Sequence, residues 1–160
     1  MGLLTPVAVR LGAISWMPKL LPQIVWFDTR LQRVTRGQVT LLQLAGLPNL
    51  TLTVVGRRSG VPRTTPLLCV PHDGGWLVAG SNFGGAKPPL WVNNLRAAPG
   101  AEVLHDGTHF PVTAREVEGE ERARLWAVML RTWPNYAKYE ERTERLIPVF
   151  YLEHVRPDLA

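Results

Sequence analysis

Apolar and polar positions from about residue 50 onward fall into short segments divided by turn signals. Thr51-Leu52-Thr53-Val54-Val55 is β-branched and mostly apolar, which predicts a strand over 50–55. Gly56 and Gly60 punctuate it, and Pro62 cannot sit inside a central strand, so 56–62 reads as a connection to a second extended run over 63–70. His72-Asp73-Gly74-Gly75 is a strong hairpin signal and leads into Trp76-Leu77-Val78-Ala79-Gly80. The pattern predicts that these three strands form an antiparallel meander. A loop rich in glycine and proline follows over 81–89, and Pro89 sits in the first turn of a helix that runs to Ala98 and stops at Pro99-Gly100. Segments 101–105 and 108–117 read as a hairpin around Asp106-Gly107. Segment 118–131 is an amphipathic helix with acids in its first turn, where the helix dipole favours them. Trp133-Pro134-Asn135-Tyr136 breaks that helix, 137–145 is a short polar helix carrying Tyr139, and 146–153 is a last apolar strand. About six short antiparallel strands with two or three inserted helices point to a small barrel.

The first 37 residues differ in character. They are rich in Leu, Trp and Pro, and Arg10, Lys19, Pro6, Pro18 and Pro22 interrupt the apolar stretches well short of the roughly 20 residues of a spanning helix. No charged n-region or A-x-A site marks a signal peptide. Within 20–36, Ile24, Phe27, Leu31 and Val34 share one helical face, with Arg30, Arg33 and Arg36 elsewhere. Such a helix either packs on the domain or lies on an anionic membrane surface. The expected organisation is an apolar, helical segment over 1–37 and a barrel domain over 38–160, with 38–45 a strand or a lead-in.

Composition narrows the choices. The 160 residues suit one domain with a sizeable core, and 14 prolines argue against a helical bundle. Net charge is +5, which suits an anionic cofactor, nucleic acid or a membrane. No Lys/Arg run with interleaved aromatics appears, which argues against nucleic acid. Cys69 is the sole cysteine and lies in an apolar run, so it reads as an inert buried thiol, and no disulfide can form within the chain. His72, His105, His109 and His154 are scattered, so no metal site is expected.

Candidate chemistry concentrates at the first turn. Arg57, Arg58, Ser59, Arg63, Thr64 and Thr65 place three guanidiniums and three hydroxyls beside two glycines. Guanidinium forks bind phosphate and carboxylate at two points, and glycines let backbone N–H groups come close to an anion. Lys87, ahead of the helix that opens near Pro89, marks a second candidate anion position.

Several ordered motifs resemble the deazaflavin-dependent nitroreductase and quinone reductase family. They are Gly56-Arg57-Arg58-Ser59-Gly60-Val61-Pro62-Arg63, Pro66-Leu67 and Asp73-Gly74-Gly75, then Ser81, Gly84, Lys87, Pro89, Trp91, Asn94-Leu95 and Pro99. Trp133-Pro134-Asn135-Tyr136, Tyr139 and Arg142-Thr143-Glu144-Arg145-Leu146-Ile147-Pro148 complete the series. The resemblance covers about 50–154. It implies a mainly β, α+β fold: a single split β-barrel of about six antiparallel strands with two to four helices. It implies coenzyme F420, an 8-hydroxy-5-deazaflavin with a phosphate and an oligoglutamate tail, as cofactor. By resemblance Arg57, Arg58, Ser59, Arg63 and Lys87 hold phosphate and carboxylates, and Thr64, Thr65, Pro66, Leu67 and Leu68 run along the deazaflavin. Ala79, Gly80, Ser81 and Asn82 contact the ring system, and Leu90, Trp91, Val92, Asn93 and Asn94 begin the helix that closes the pocket. Tyr136 stands beside the ring. The implied reaction is hydride transfer to a quinone or nitroaromatic acceptor, with Tyr136 and Ser81 as hydroxyl donors to the charging oxygen and Leu68, Trp133 and Tyr139 lining the acceptor pocket.

The better-known nitroreductases carry tyrosine at the positions of Leu68 and Trp133 and lysine at that of Asn82. These departures touch the acceptor side more than the anion side, so quinone reduction, such as of menaquinone at a membrane, is the more general expectation. Two other readings compete: a non-catalytic split barrel that binds deazaflavin, FMN or haem, and a peripheral membrane module. The sequence leaves monomer and dimer open. The expected location is cytoplasmic, or peripheral on the inner face of the plasma membrane.

Overall fold

A computed structural model describes residues 46–98 and 100–155, with positions 19, 22–24, 26, 27 and 30. The expectations for 1–37, for 38–45 and for Pro99 fall wholly or largely outside the described residues.

Among the described residues seven strands are formed: β1 (Asn49–Val55), β2 (Pro62–Leu68), β3 (Val70–His72), β4 (Gly75–Ala79), β5 (Gly100–His105), β6 (Thr108–Glu116) and β7 (Val149–His154). Within residues 46–155, helices α1 (Leu90–Ala97), α2 (Gly119–Thr132) and α3 (Asn135–Glu141) accompany them, with a 3-10 turn at Asn82–Gly84. All strand pairs are antiparallel in one sheet of order β2-β1-β5-β6-β7-β4-β3.

That order corrects the expected meander. The run over 63–70 is two strands, and β2 never pairs with β4. Instead β2 and β3 are the opposite edges of the sheet, yet only Cys69 separates them in the chain. Adjacent Cα atoms lie about 3.8 Å apart, so the sheet must curl until its edges meet at Cys69. There the Cys69 amide donates to the Pro48 carbonyl at 3.0 Å. β2 and β3 form no ladder with each other, so the barrel is split. The sequence cannot show this, because local patterning marks a strand but not its non-neighbouring partner. Pro62 and Pro66 are tolerated in β2 because it is an edge strand.

Alternation along the strands divides two cores. Leu50, Leu52, Val54, Val103, Val112 and Phe150 point into the barrel, which α1 plugs with Trp91, Val92 and Leu95. On the outer face Leu77, Ala79 and Val149 pack against Leu125, Trp126 and Met129 of α2 and Tyr136 and Tyr139 of α3. β4 is buried on both faces, which accounts for its unbroken apolar run.

Polar ties fix the helices on this frame. Arg96 forks onto Glu116 at 2.8 and 2.7 Å, joining α1 to β6. Arg122 donates from Nε and Nη2 to the Ile147 carbonyl at 3.2 and 2.7 Å, with its guanidinium 5.0 Å from the Trp126 ring centroid. The Trp126 indole N–H donates to Glu140 at 2.8 Å and so holds α3 against α2. The expected break over 133–136 is shorter than predicted: Asn135 and Tyr136 already belong to α3, which ends at Glu141 and leaves Arg142 and Arg145 in the connection to β7.

Candidate active site

The basic turn between β1 and β2 is built by its own backbone. The Gly56 amide donates to the Val61 carbonyl at 2.9 Å and the Gly60 amide to the Gly56 carbonyl at 2.8 Å. Ser59 Oγ accepts from the Val61 amide at 3.2 Å. The turn is also tied to the barrel plug: the Arg57 amide donates to Oδ1 of Asn94, a buried residue of α1, at 3.1 Å. Asn94 therefore positions the turn from beneath. Arg57, Arg58 and Arg63 are exposed, and none of them pairs with a carboxylate among the described residues.

β2 carries the site away from this turn. Its residues alternate: Leu67 packs on the barrel core, and Leu68 packs on the outer core. Thr64 lies opposite Thr53 in the ladder, with the hydroxyls 3.2 Å apart. One side of β2 pairs with β1, and the other is a free edge among the described residues. From Arg63 to Leu68 that edge spans roughly 17 Å at the usual strand rise.

At its far end β2 enters an aromatic cluster. Leu68, Phe83, Trp133, Tyr136 and Tyr139 share the outer core. Tyr136 is buried, with its ring 5.2 Å from Trp126 and 6.0 Å from Tyr139. Burial first, then Tyr139 and the Cys69 thiol, push the Tyr136 phenol far above its ordinary range, so it stays a protonated donor. Tyr139 is fixed differently: its hydroxyl accepts from the Trp133 indole N–H at 3.3 Å, and Arg142 lies 5.5 Å from its ring centroid. Burial raises the Tyr139 pKa as well, against the opposing pull of the Trp133 hydrogen bond.

The loop from β4 to α1 completes the cluster's rim. Gly80 leaves no space for a side chain: a Cβ there would lie 2.5 Å from Val92 Cγ2 and 2.9 Å from Pro148 Cγ. Ser81 is half-buried, and its hydroxyl makes no hydrogen bond among the described residues. Asn82 donates Nδ2–H to the Lys87 carbonyl at 3.1 Å, which closes the loop. The Lys87 side chain is exposed. Helix α1 starts at Leu90, with Pro89 as its N-cap and not inside its first turn.

The structure thus brings Leu68, Trp133, Tyr136 and Tyr139 together, and strings Arg63, Thr64, Thr65, Pro66 and Leu67 along one free edge. It places Trp91 and Val92 in the barrel core, Trp91 against Phe150 at 5.8 Å, while Leu90 is exposed and Asn93 half-buried. Ala79 and Gly80 are buried behind Ser81. Sequence reasoning quoted Arg142 and Arg145 within a motif but gave them no role. Both turn back onto this loop: Arg142 donates to the Phe83 carbonyl, and Arg145 to the carbonyls of Ser81 and Gly85. Their three-residue spacing after an aromatic helix was the available signal.

Residues 26–154 match the family described as F420H2-dependent quinone reductase. An F420H2-dependent quinone reductase of Mycobacterium tuberculosis is 32% identical over 133 residues, covering 81% of this chain and 89% of that protein. Among solved structures, an F420-H2 dependent reductase, FDR-A, is 39% identical with a TM-score of 0.62, over 66% of this chain and 94% of its own. A second, a domain-swapped dimer, is 35% identical with a TM-score of 0.65, over 80% and 97% of the two chains. The haem storage protein HutZ of Vibrio cholerae shares the fold at 16% identity and a TM-score of 0.54, over 68% and 82%.

Proposed function

The chain belongs to the F420H2-dependent quinone reductases, a family of F420-using oxidoreductases, and from that premise we propose that its acceptor is a quinone, reduced beside Tyr136. One observation carries the reading. Among the described residues, three exposed arginines without acid partners stand at one end of a free strand edge, and the other end of that edge enters a cluster of buried aromatic rings.

The donor set fits the cofactor. Arg57, Arg58 and Arg63 would hold its phosphate and tail carboxylates, with Ser59 and Lys87 adding to them, and the edge of β2, unpaired among the described residues, would offer backbone groups to the flat ring system. When bound, the reduced deazaflavin supplies the hydride. The remaining work falls to the protein. As hydride arrives, a quinone oxygen gains negative charge, and a hydroxyl aimed there lowers the barrier. Tyr136 suits this because burial keeps it protonated, and the half-buried hydroxyl of Ser81 offers a second donor. Leu68, Trp133 and the ring of Tyr139 exclude water around the reacting atoms. Leu68 and Trp133 are less polar than the tyrosines of the nitroreductases, which favours a flat, apolar quinone over a nitroaromatic.

The test is oxidation of F420H2 by menadione and by a nitroaromatic, followed through recovery of F420 absorbance, with FMN binding measured in parallel. Turnover with the quinone well above that with the nitroaromatic, and no comparable FMN binding, is expected. Equal turnover of both acceptors overturns the quinone assignment. Failure to bind F420 overturns the site.

A further inference from the structure

The loop that carries Ser81 does not hold its shape alone. Asn82, Phe83 and Gly84 follow one another at φ of 46°, 52° and 79°, a left-handed run that two residues with a Cβ adopt only under constraint. The constraint comes from two arginines. Arg145 donates Nε–H to the Gly85 carbonyl at 2.9 Å and Nη2–H to the Ser81 carbonyl at 2.8 Å. Arg142 donates from Nη1 to the Phe83 carbonyl at 3.3 Å. The Gly84 and Gly85 amides close the turn onto the carbonyls of Ser81 and Asn82 at 2.9 and 2.8 Å.

Arg145 is an uneconomical way to brace a loop. It pairs with no carboxylate among the described residues, its Nη1 is buried without a partner, and burial lowers its pKa from the ordinary guanidinium value. A neutral donor would brace the carbonyls without a desolvated charge. What the guanidinium adds is a positive charge, held against the backbone of Ser81 and without a carboxylate partner among the described residues.

We propose that Arg145 is a positioning residue for hydride transfer, whose fork fixes the Ser81–Gly85 turn and whose charge favours the negative oxygen that forms on the acceptor. This rests on the reductase reading above and deepens it. The fork is essential: one planar group reaches two carbonyls four residues apart, which a lysine ammonium on a flexible stem cannot hold in the same register.

Two variants, Arg145→Lys and Arg145→Met, test the inference with two measurements. In the ligand-free protein, Arg145→Lys should speed amide exchange at Gly84 and Gly85 by about tenfold or more while Leu52 and Ala114 in the barrel keep their protection. In the loaded enzyme kcat should fall about tenfold for Arg145→Lys and about a hundredfold for Arg145→Met, with the F420 Kd within about twofold of the parent. Unchanged exchange in Arg145→Lys overturns the positioning role. A loss confined to F420 affinity, or one that merely tracks a lower Tm, overturns the electrostatic role. If the parent protein does not oxidise F420H2 but the glycine amides still respond, the reductase reading fails and the bracing stands. If the parent turns over and both variants match it, the inference fails and the reading stands.

Discussion

Tyr136 and Cys69 show how far burial alone sets chemistry at the scale of a residue. The Tyr136 phenol is raised so far that it cannot ionise in the working range, so the rate should show no alkaline limb from this group up to about pH 10. Tyr136→Phe should lower kcat for quinone reduction by about tenfold to a hundredfold and leave F420 affinity near the parent value, which steady-state kinetics and a binding titration separate. Cys69 gives a stability signature. Burial, with a smaller push from Asp106, raises its thiol from 9.0 to about 12. Above pH 9 the unfolded chain releases a proton that the folded chain keeps, so stability falls as pH rises, with a limiting slope of about 1.4 kcal/mol per pH unit. Tyr136, Tyr139 and Tyr151, ordinarily near 10.0 and also raised, add to the decline as pH nears 10, so the share of the cysteine is the difference between the parent and Cys69→Ala. Urea denaturation at steps from about pH 9 to about pH 10 should show the decline in the parent and a flatter profile in Cys69→Ala. Residue types were legible at this scale: the arginines of the first turn and the inert thiol follow from composition and spacing. The tasks of Asn94 and Arg145 were not, because each bonds backbone groups far off in sequence, 60 and 64 residues for Arg145.

Between elements, the contact that matters most is the one between the loop after β4 and helix α3. Gly84 approaches α3 so closely that a Cβ would lie 2.6 Å from the Tyr139 carbonyl oxygen and 2.8 Å from Arg142 Cβ, at a φ of +79°. Backbone cannot yield as a side chain can, and the left-handed conformation adds strain. Gly84→Ala should therefore cost about 2 kcal/mol or more, seen as a lower Tm, and should depress turnover because the loop must lift away from Tyr139. A parent-like Tm would show that the loop and helix are not interlocked. Elements themselves were largely visible in the sequence. The hairpins at Asp73-Gly74 and Asp106-Gly107 and helices α1 and α2 stand close to where periodicity puts them. Pairing was the part that patterning misplaced. The apolar run over 63–70 reads as one strand because every residue in it suits extended backbone, and only the curl of the whole sheet sends its two halves to opposite edges.

For the whole molecule, charge and desolvation are separated along β2. The basic turn is exposed, so its attraction for a polyanion acts through water and salt. The aromatic end is buried, where added ions do not reach. Binding and chemistry should therefore respond differently to ionic strength. Raising salt from about 50 to about 500 mM shortens the screening length severalfold, and the Kd for F420 should rise by about tenfold while kcat at saturating cofactor stays within about twofold. In a double variant, Arg57→Ala with Arg63→Ala, the Kd should already be weak at low salt and its salt dependence shallower, since the charges that salt screens are gone. A kcat that falls with salt in step with affinity would mean that the reacting atoms sit in solvent, and the division of labour along the strand would not hold. The sequence carried the first half of this division in its arginine-rich turn. The second half needed the fold, because Leu68, Trp133, Tyr136 and Tyr139 come from two distant stretches that meet only when the sheet closes and α3 docks on its outer face.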